Sequence, residues 1–253
     1  MRKKWFWLIG AVVLVGVCLP AGATTVYTFG GIDFTDPTHR AAQAVFTFTG
    51  STLTVVLTNT ATAATADPAQ ILTGVIFDLN PTRVLTPVSA VLASGSTIIN
   101  GSQPAGGNVG GEWGYAPVSV VFMPELVFTD DQGISSSGIF FGKHNFNGPD
   151  LDPPDALDGV NYGIVSSLGI TNTNGAMGKP LIKNAVVFTL TTTTETDVIK
   201  NVVFQYGTNI TDPHFIGGQL GGVPDIIPEP LTLLAVFGGV CGLGGYIRRR
   251  RLA

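Results

Sequence analysis

The sequence predicts an all-β protein: a single β-sandwich domain, jelly-roll-like, flanked by an N-terminal signal peptide and a C-terminal transmembrane helix. Three observations carry this. Charged residues are only 12% of the chain, about half the usual share, and Thr, Gly, Ala, Val and Asn replace them. Such chains favour strands and turns over surface helices. No stretch of a dozen interior residues keeps a helical period, whereas many short segments alternate with period two. Both ends carry an apolar run beside a basic cluster.

The clearest alternation is AQAVFTFTGSTLTVVLTNT. Val45, Thr47 and Thr49 face one way, and Phe46 and Phe48 the other. Gly50-Ser51 turns the chain, and Leu53, Val55 and Leu57 line the inner face of the return strand, which is the pattern of a two-residue β-hairpin. Ten to twelve short strands follow in all, punctuated by Gly, Pro, Asn and Asp. Among them are ILTGVIFDL, EWGYAPVSVVF, KNAVVFTLTTTT and VIKNVVFQYGT. Val186, Phe188, Leu190, Val203, Phe204 and Tyr206 are expected in the core between two sheets. One helical turn is expected after Asp67. Nothing repeats at a fixed period, which argues against a propeller or solenoid. Residues 24–215 are therefore the predicted extracellular domain. The glycine-rich residues 216–227 lose periodicity and are expected to be a flexible linker.

Charge is divided by region. Arg2, Lys3 and Lys4 lie at one end and Arg248, Arg249, Arg250 and Arg251 at the other, leaving six basic residues against seventeen acidic ones between. Such an acidic interior repels phosphate backbones and excludes nucleic acid as a partner. Cys18 and Cys241 both lie in the terminal apolar runs. The domain between them therefore has no internal disulfide, cysteine nucleophile or zinc–thiolate site.

Residues 1–23 have the layout of a secretory signal peptide. A basic start precedes an apolar run from Trp5 to about Leu19, then Pro20 and the small residues Ala21-Gly22-Ala23. Cleavage is expected after Ala23. At the other end, Pro228-Glu229-Pro230 is rigid and disfavours a helix start. Leu231 to Ile247 is uncharged and long enough, at about 26 Å, to reach the lower limit for a bilayer span. Arg248 to Arg251 then hold that end in the cytoplasm.

No LPxTG-like motif occurs, and a lipid-anchor signal would lack the terminal arginines. The tripartite end, Pro228 to Ala253, resembles the PEP-CTERM sorting signal of exopolysaccharide-producing Gram-negative bacteria. That resemblance implies an exosortase-type transpeptidase as partner. The precursor would be held in the inner membrane by residues 231–247 and processed near Pro228, Glu229 and Pro230. The mature form would reach the cell surface or extracellular matrix, in company with biofilm exopolysaccharide. The segments IDF, STLTVVLTNT, and VVFQYGT followed by DPHF are similar to a recurrent extracellular domain of PEP-CTERM proteins, which implies a surface protein and adds no catalytic residue.

Candidate sites within the domain are sparse. Asp150, Asp152, Asp155 and Asp158 fall within nine residues and offer closely spaced oxygens for Ca²⁺. Pro154 and Asp155 stand where an EF-hand needs Asn or Asp and then Gly, so the loop is not an EF-hand, and a solvated acidic turn is the plainer reading. Trp113 and Tyr115, beside Glu112, are the candidate aromatic platform for a sugar. A place in the core or at a sheet edge is the plainer reading of both. His39, His144 and His214 are far apart, without metal-ligand spacing, and the first and last follow Asp-Pro turns. No GxSxG elbow or paired acid and base is present. The expectation is a non-enzymatic secreted surface or matrix protein without a required cofactor, with a carbohydrate-binding module as the alternative.

Overall fold

A computed structural model describes residues 24–81, 84–117, 131–137, 159–192, 198–209 and 211–227. Among these, fourteen strands are present. In chain order they are β1 (Thr24–Ile32), β2 (Ala41–Thr49), β3 (Thr52–Asn59), β4 (Leu72–Asn80), β5 (Thr86–Leu92), β6 (Thr97–Ile99) and β7 (Gly114–Pro117). Then come β8 (Asp131–Ser135), β9 (Ile164–Val165), β10 (Leu181–Lys183), β11 (Ala185–Thr191), β12 (Val198–Tyr206), β13 (His214–Ile216) and β14 (Gly218–Ile227). The signal peptide, the acidic loop and the sorting tail lie outside the described residues. No helix among the described residues is long and apolar enough to cross a membrane.

The strands form two sheets. One runs β14-β1-β2-β3-β11-β5, and the other runs β13-β12-β4-β9-β10-β6, with β8 also on β4 and β7 on β8. The hairpin forms as the alternation predicts. Ala44, Phe46 and Phe48 on β2 and Leu53, Val55 and Leu57 on β3 are all buried, Phe46 lies opposite Val55, and Gly50 makes the turn at φ 56°. Chain reversal in two residues puts a positive φ there, which glycine adopts without strain.

One core joins both sheets. Phe46 of β2 meets Phe77 of β4 with ring centroids 4.9 Å apart, and Val186, Phe188, Leu190, Phe204 and Tyr206 belong to the same cluster. Burying each such side chain contributes about 1.5–3 kcal/mol. This two-sheet packing fits a sandwich, but the order corrects the jelly-roll expectation. β1, β2 and β3 remain neighbours in one sheet as a meander, where a jelly roll would pass successive strands to alternate sheets. The two-residue turn at Gly50-Ser51 leaves no length for a crossing.

β4 is buried on both faces, which explains why ILTGVIFDL reads as a nearly unbroken apolar run. Val75, Phe77 and Leu79 enter the main core. Behind the sheet a smaller cluster forms from Ile71, Val160, Val165, Met177 and Leu181. The turn expected after Asp67 is present at Pro68–Gln70. Asp67 accepts from the Ala69 N–H, and Gln70 accepts from the N–H of Asp67, a reciprocal cap at the turn's start.

The expected linker is corrected by the sheet. Residues 214–216 form β13, and 218–227 form β14, antiparallel to β1. Glycine richness argues for a tether, but an unpaired edge on β1 satisfies the backbone of this segment whatever its side chains. Thr24 stands opposite Ile227, so the first and last residues of the folded domain are neighbours.

Candidate functional site

The predicted aromatic platform is not at the surface. Trp113 is 0% exposed and Tyr115 is 1% exposed. Trp113 packs on Phe188 with centroids 4.9 Å apart and donates from Nε1 to the Tyr162 carbonyl at 3.1 Å. The Tyr115 hydroxyl donates to Gln132 Oε1 and accepts from the Leu85 N–H at 2.9 Å. Burial pushes this phenol up to about 12. Both side chains are consumed by the core, since alternation on β7 turns Tyr115 inward and Trp113 enters just ahead of it. The ligand assignment to these two residues is therefore corrected.

Asp150, Asp152, Asp155, Asp158, Pro228, Glu229, Pro230 and Arg248 to Arg251 lie outside the described residues, as does His144. Among the described residues, no group of three or more His, Cys, Asp or Glu is placed to hold a metal. His39 and His214 serve turns: His39 Nδ1 lies 2.8 Å from Asp36 Oδ1, and His214 Nδ1 lies 3.3 Å from the Asp212 carbonyl.

Among the described residues, the densest charged constellation is the β1–β2 connection. Asp33 Oδ1 accepts from the N–H and hydroxyl of Thr35 at 2.8 and 2.7 Å, and Oδ2 accepts from Arg40 Nε at 2.6 Å. Arg40 also donates to Thr35 Oγ1 at 2.7 Å and lies 3.5 Å from Asp36 Oδ2. Gln70 Nε2 reaches the same Asp36 oxygen at 3.1 Å, tying the connection to the turn before β4. Burial acts to raise the Asp33 pKa, but the bonds from Thr35 and Arg40 and the charge of Arg40 outweigh it, so the carboxyl sits below its usual range. Asp36 is likewise lowered: burial opposes, and His39, Gln70 and Arg40 prevail. Nearby, the fully buried Tyr206 phenol is raised well above its ordinary value, by burial above all. Both carboxylates are held ionised and bonded. This arrangement locks a loop.

The outer face of the first sheet is a different surface. In register across β1, β2, β3, β11 and β5 lie Thr24, Thr49, Thr52, Thr191 and Thr86. The next outward row is Val26, Thr47, Thr54, Thr189 and Ser89, and the third is Thr28, Val45, Val56, Val187 and Val91. Nine threonines, five valines and one serine fill these fifteen positions, with no charge among them. All fifteen are partly or fully exposed. The hydroxyls of Thr24 and Thr49 stand 3.5 Å apart. Strand spacing sets a repeat of about 4.8 Å across the face and about 6.7 Å along it, a lattice of methyls and hydroxyls.

Residue by residue, the signal for this face was present in TFT at 47–49, TLT at 52–54 and TLT at 189–191. Only the pairing of β11 beside β3 brings the third segment next to the other two. The chain matches no family model, no curated protein and no solved structure.

Proposed function

We propose that this is an exported, non-enzymatic surface or matrix protein, carried out by a cleaved signal peptide and processed by an exosortase-type transpeptidase. The single observation behind this reading is the order Pro228-Glu229-Pro230, uncharged 231–247, Arg248 to Arg251 at the chain's end. The precursor sits in the inner membrane with its arginines in the cytoplasm, and the processed domain goes to the cell surface or the extracellular polymer. A folded all-β domain whose charged β1–β2 connection is bonded within itself suits a structural cargo.

Mass spectrometry of the surface form tests this. The expected mature chain begins at Thr24 and lacks Arg248 to Arg251. Replacing Pro228 and Pro230 together by alanine is expected to leave the full tail in place and the protein in the membrane fraction. A surface form that keeps the four arginines overturns the reading.

A second reading concerns the domain's role in that polymer, and the threonine-rich face favours it. An uncharged lattice of hydroxyls and methyls complements a neutral exopolysaccharide. Docking there leaves no charge to desolvate. Thr54→Lys and Thr189→Lys, made singly, are expected to lower retention on a neutral polysaccharide by about tenfold, because each ammonium resists desolvation. Melting should move little, since both positions are half-buried on the outward face, where such a change costs about 1 kcal/mol or less. Unchanged retention of both variants in a pull-down rules this face out as the contact.

A further inference from the structure

The end of β14 abuts the sorting motif. Asp225, Ile226 and Ile227 pair with Val26, Thr25 and Thr24, and Pro228 is the next residue. The ladder is then interrupted: Val26 faces Asp225 and Thr28 faces Leu220. Gly221, Gly222, Val223 and Pro224 are thereby left opposite Tyr27 alone. Three pairs at the domain's terminus are separated by this bulge from the pairs at Gly218–Leu220. The bulge contains two glycines and a proline that has no N–H to give to a ladder.

An enzyme that processes the chain near Pro228 must enclose an extended segment, and it binds such a segment through backbone hydrogen bonds. β14 is the edge of its sheet, so only one side of Asp225–Ile227 is open to a cleft. The other side is occupied by β1. The same backbone groups cannot serve both. Opening three terminal pairs costs far less than unfolding the domain, because local openings of this kind span free energies well below the global value. Once freed, residues 221–227 reach about 23 Å when extended, enough to carry the motif away from the sheet.

We propose that the Thr24–Val26/Asp225–Ile227 ladder is a latch on the sorting motif. The folded domain keeps the segment ahead of Pro228 zipped to its own N-terminal strand, and fraying of this ladder admits the transpeptidase. The inference rests on the sorting reading of the tail. Processing breaks the peptide bond near the motif and passes the acyl group to water or to an amine; the latch controls access and leaves that chemistry unaltered. It is a rate control built from the two ends of the cargo, and it links processing to the presence of a folded β1.

The test is a cross-strand lock. Thr25 and Ile226 are direct partners, and antiparallel partners have the Cα separation that a disulfide needs. The double variant Thr25→Cys/Ile226→Cys, made in the full-length protein in the producing cell, is followed by pulse labelling and mass spectrometry. Oxidised, it is expected to lose the arginine tail at least about tenfold more slowly than wild type, since a cross-link suppresses opening of the ladder. Reductant should restore the wild-type rate, and each single cysteine should behave as wild type. Thr25→Gly, which weakens β1 without touching the motif, is expected to accelerate processing. An oxidised lock that matures as fast as wild type overturns the latch while the sorting reading stands. If wild type itself keeps Arg248 to Arg251, the sorting reading falls and the latch with it.

Discussion

Trp113→Ala should destabilise the domain by about 3–5 kcal/mol, the range for removing a large aromatic from a packed core. Trp113 is 0% exposed, so its deletion leaves a void that neighbours fill only in part. Contact with Phe188 is lost, and the Tyr162 carbonyl loses the indole N–H that it accepts from. Chemical denaturation measures the effect as a lower midpoint at unchanged slope. The result also separates two explanations of any lost polysaccharide retention. A Trp113 variant that binds less only because less of it is folded regains binding when stabilised. A loss of affinity with native stability intact would instead return Trp113 to the surface and contradict its burial.

Arg40→Ala carries the second large effect, about 3 kcal/mol, because it leaves the Asp33 carboxylate in a mostly buried site without its cation. Thr35 still donates two bonds to Asp33, which keeps the cost at the lower end for a broken buried pair. The same group makes a pH prediction. Asp33 and Asp36 titrate below the ordinary aspartate range in the folded protein. The unfolded chain therefore binds protons first as pH falls. Their stabilising contribution is complete above about pH 5 and is lost below it, as pH falls through the lowered folded values. Wild type should lose stability in that acid window. Arg40→Ala should lose less there, since part of the contribution is already gone. Melting curves between pH 2 and pH 7 check this, and parallel curves for the two proteins would count against the Arg40 contribution.

The alternation in residues 41–59 made the first hairpin legible, because a strand with one buried face must repeat every two residues and a two-residue turn leaves one register. The inward positions of β11 and β12 were legible for the same reason. The turn after Asp67 followed from local chemistry, a capping carboxylate beside a proline. Trp113 and Tyr115 show where sequence stopped: the core is the plainer place for the aromatics of EWGYAP, but nothing within six residues rules out a sugar platform. Burial is a property of what packs from elsewhere, here Phe188 and Gln132, distant in the chain.

Order along the chain was enough for the all-β class and for the in-or-out choice along each clear strand, and it is the whole basis of the proposed export and sorting layout. These depend on order along the chain or on neighbours one or two residues apart. The tertiary structure alone decided that glycine-rich residues 218–227 complete a sheet, that Thr24 meets Ile227, and that TLT at 189–191 joins TFT and TLT in one uncharged face. Each of these is a pairing between residues far apart in sequence. It is set by which edge remains unpaired once the core has closed, a quantity no local pattern encodes.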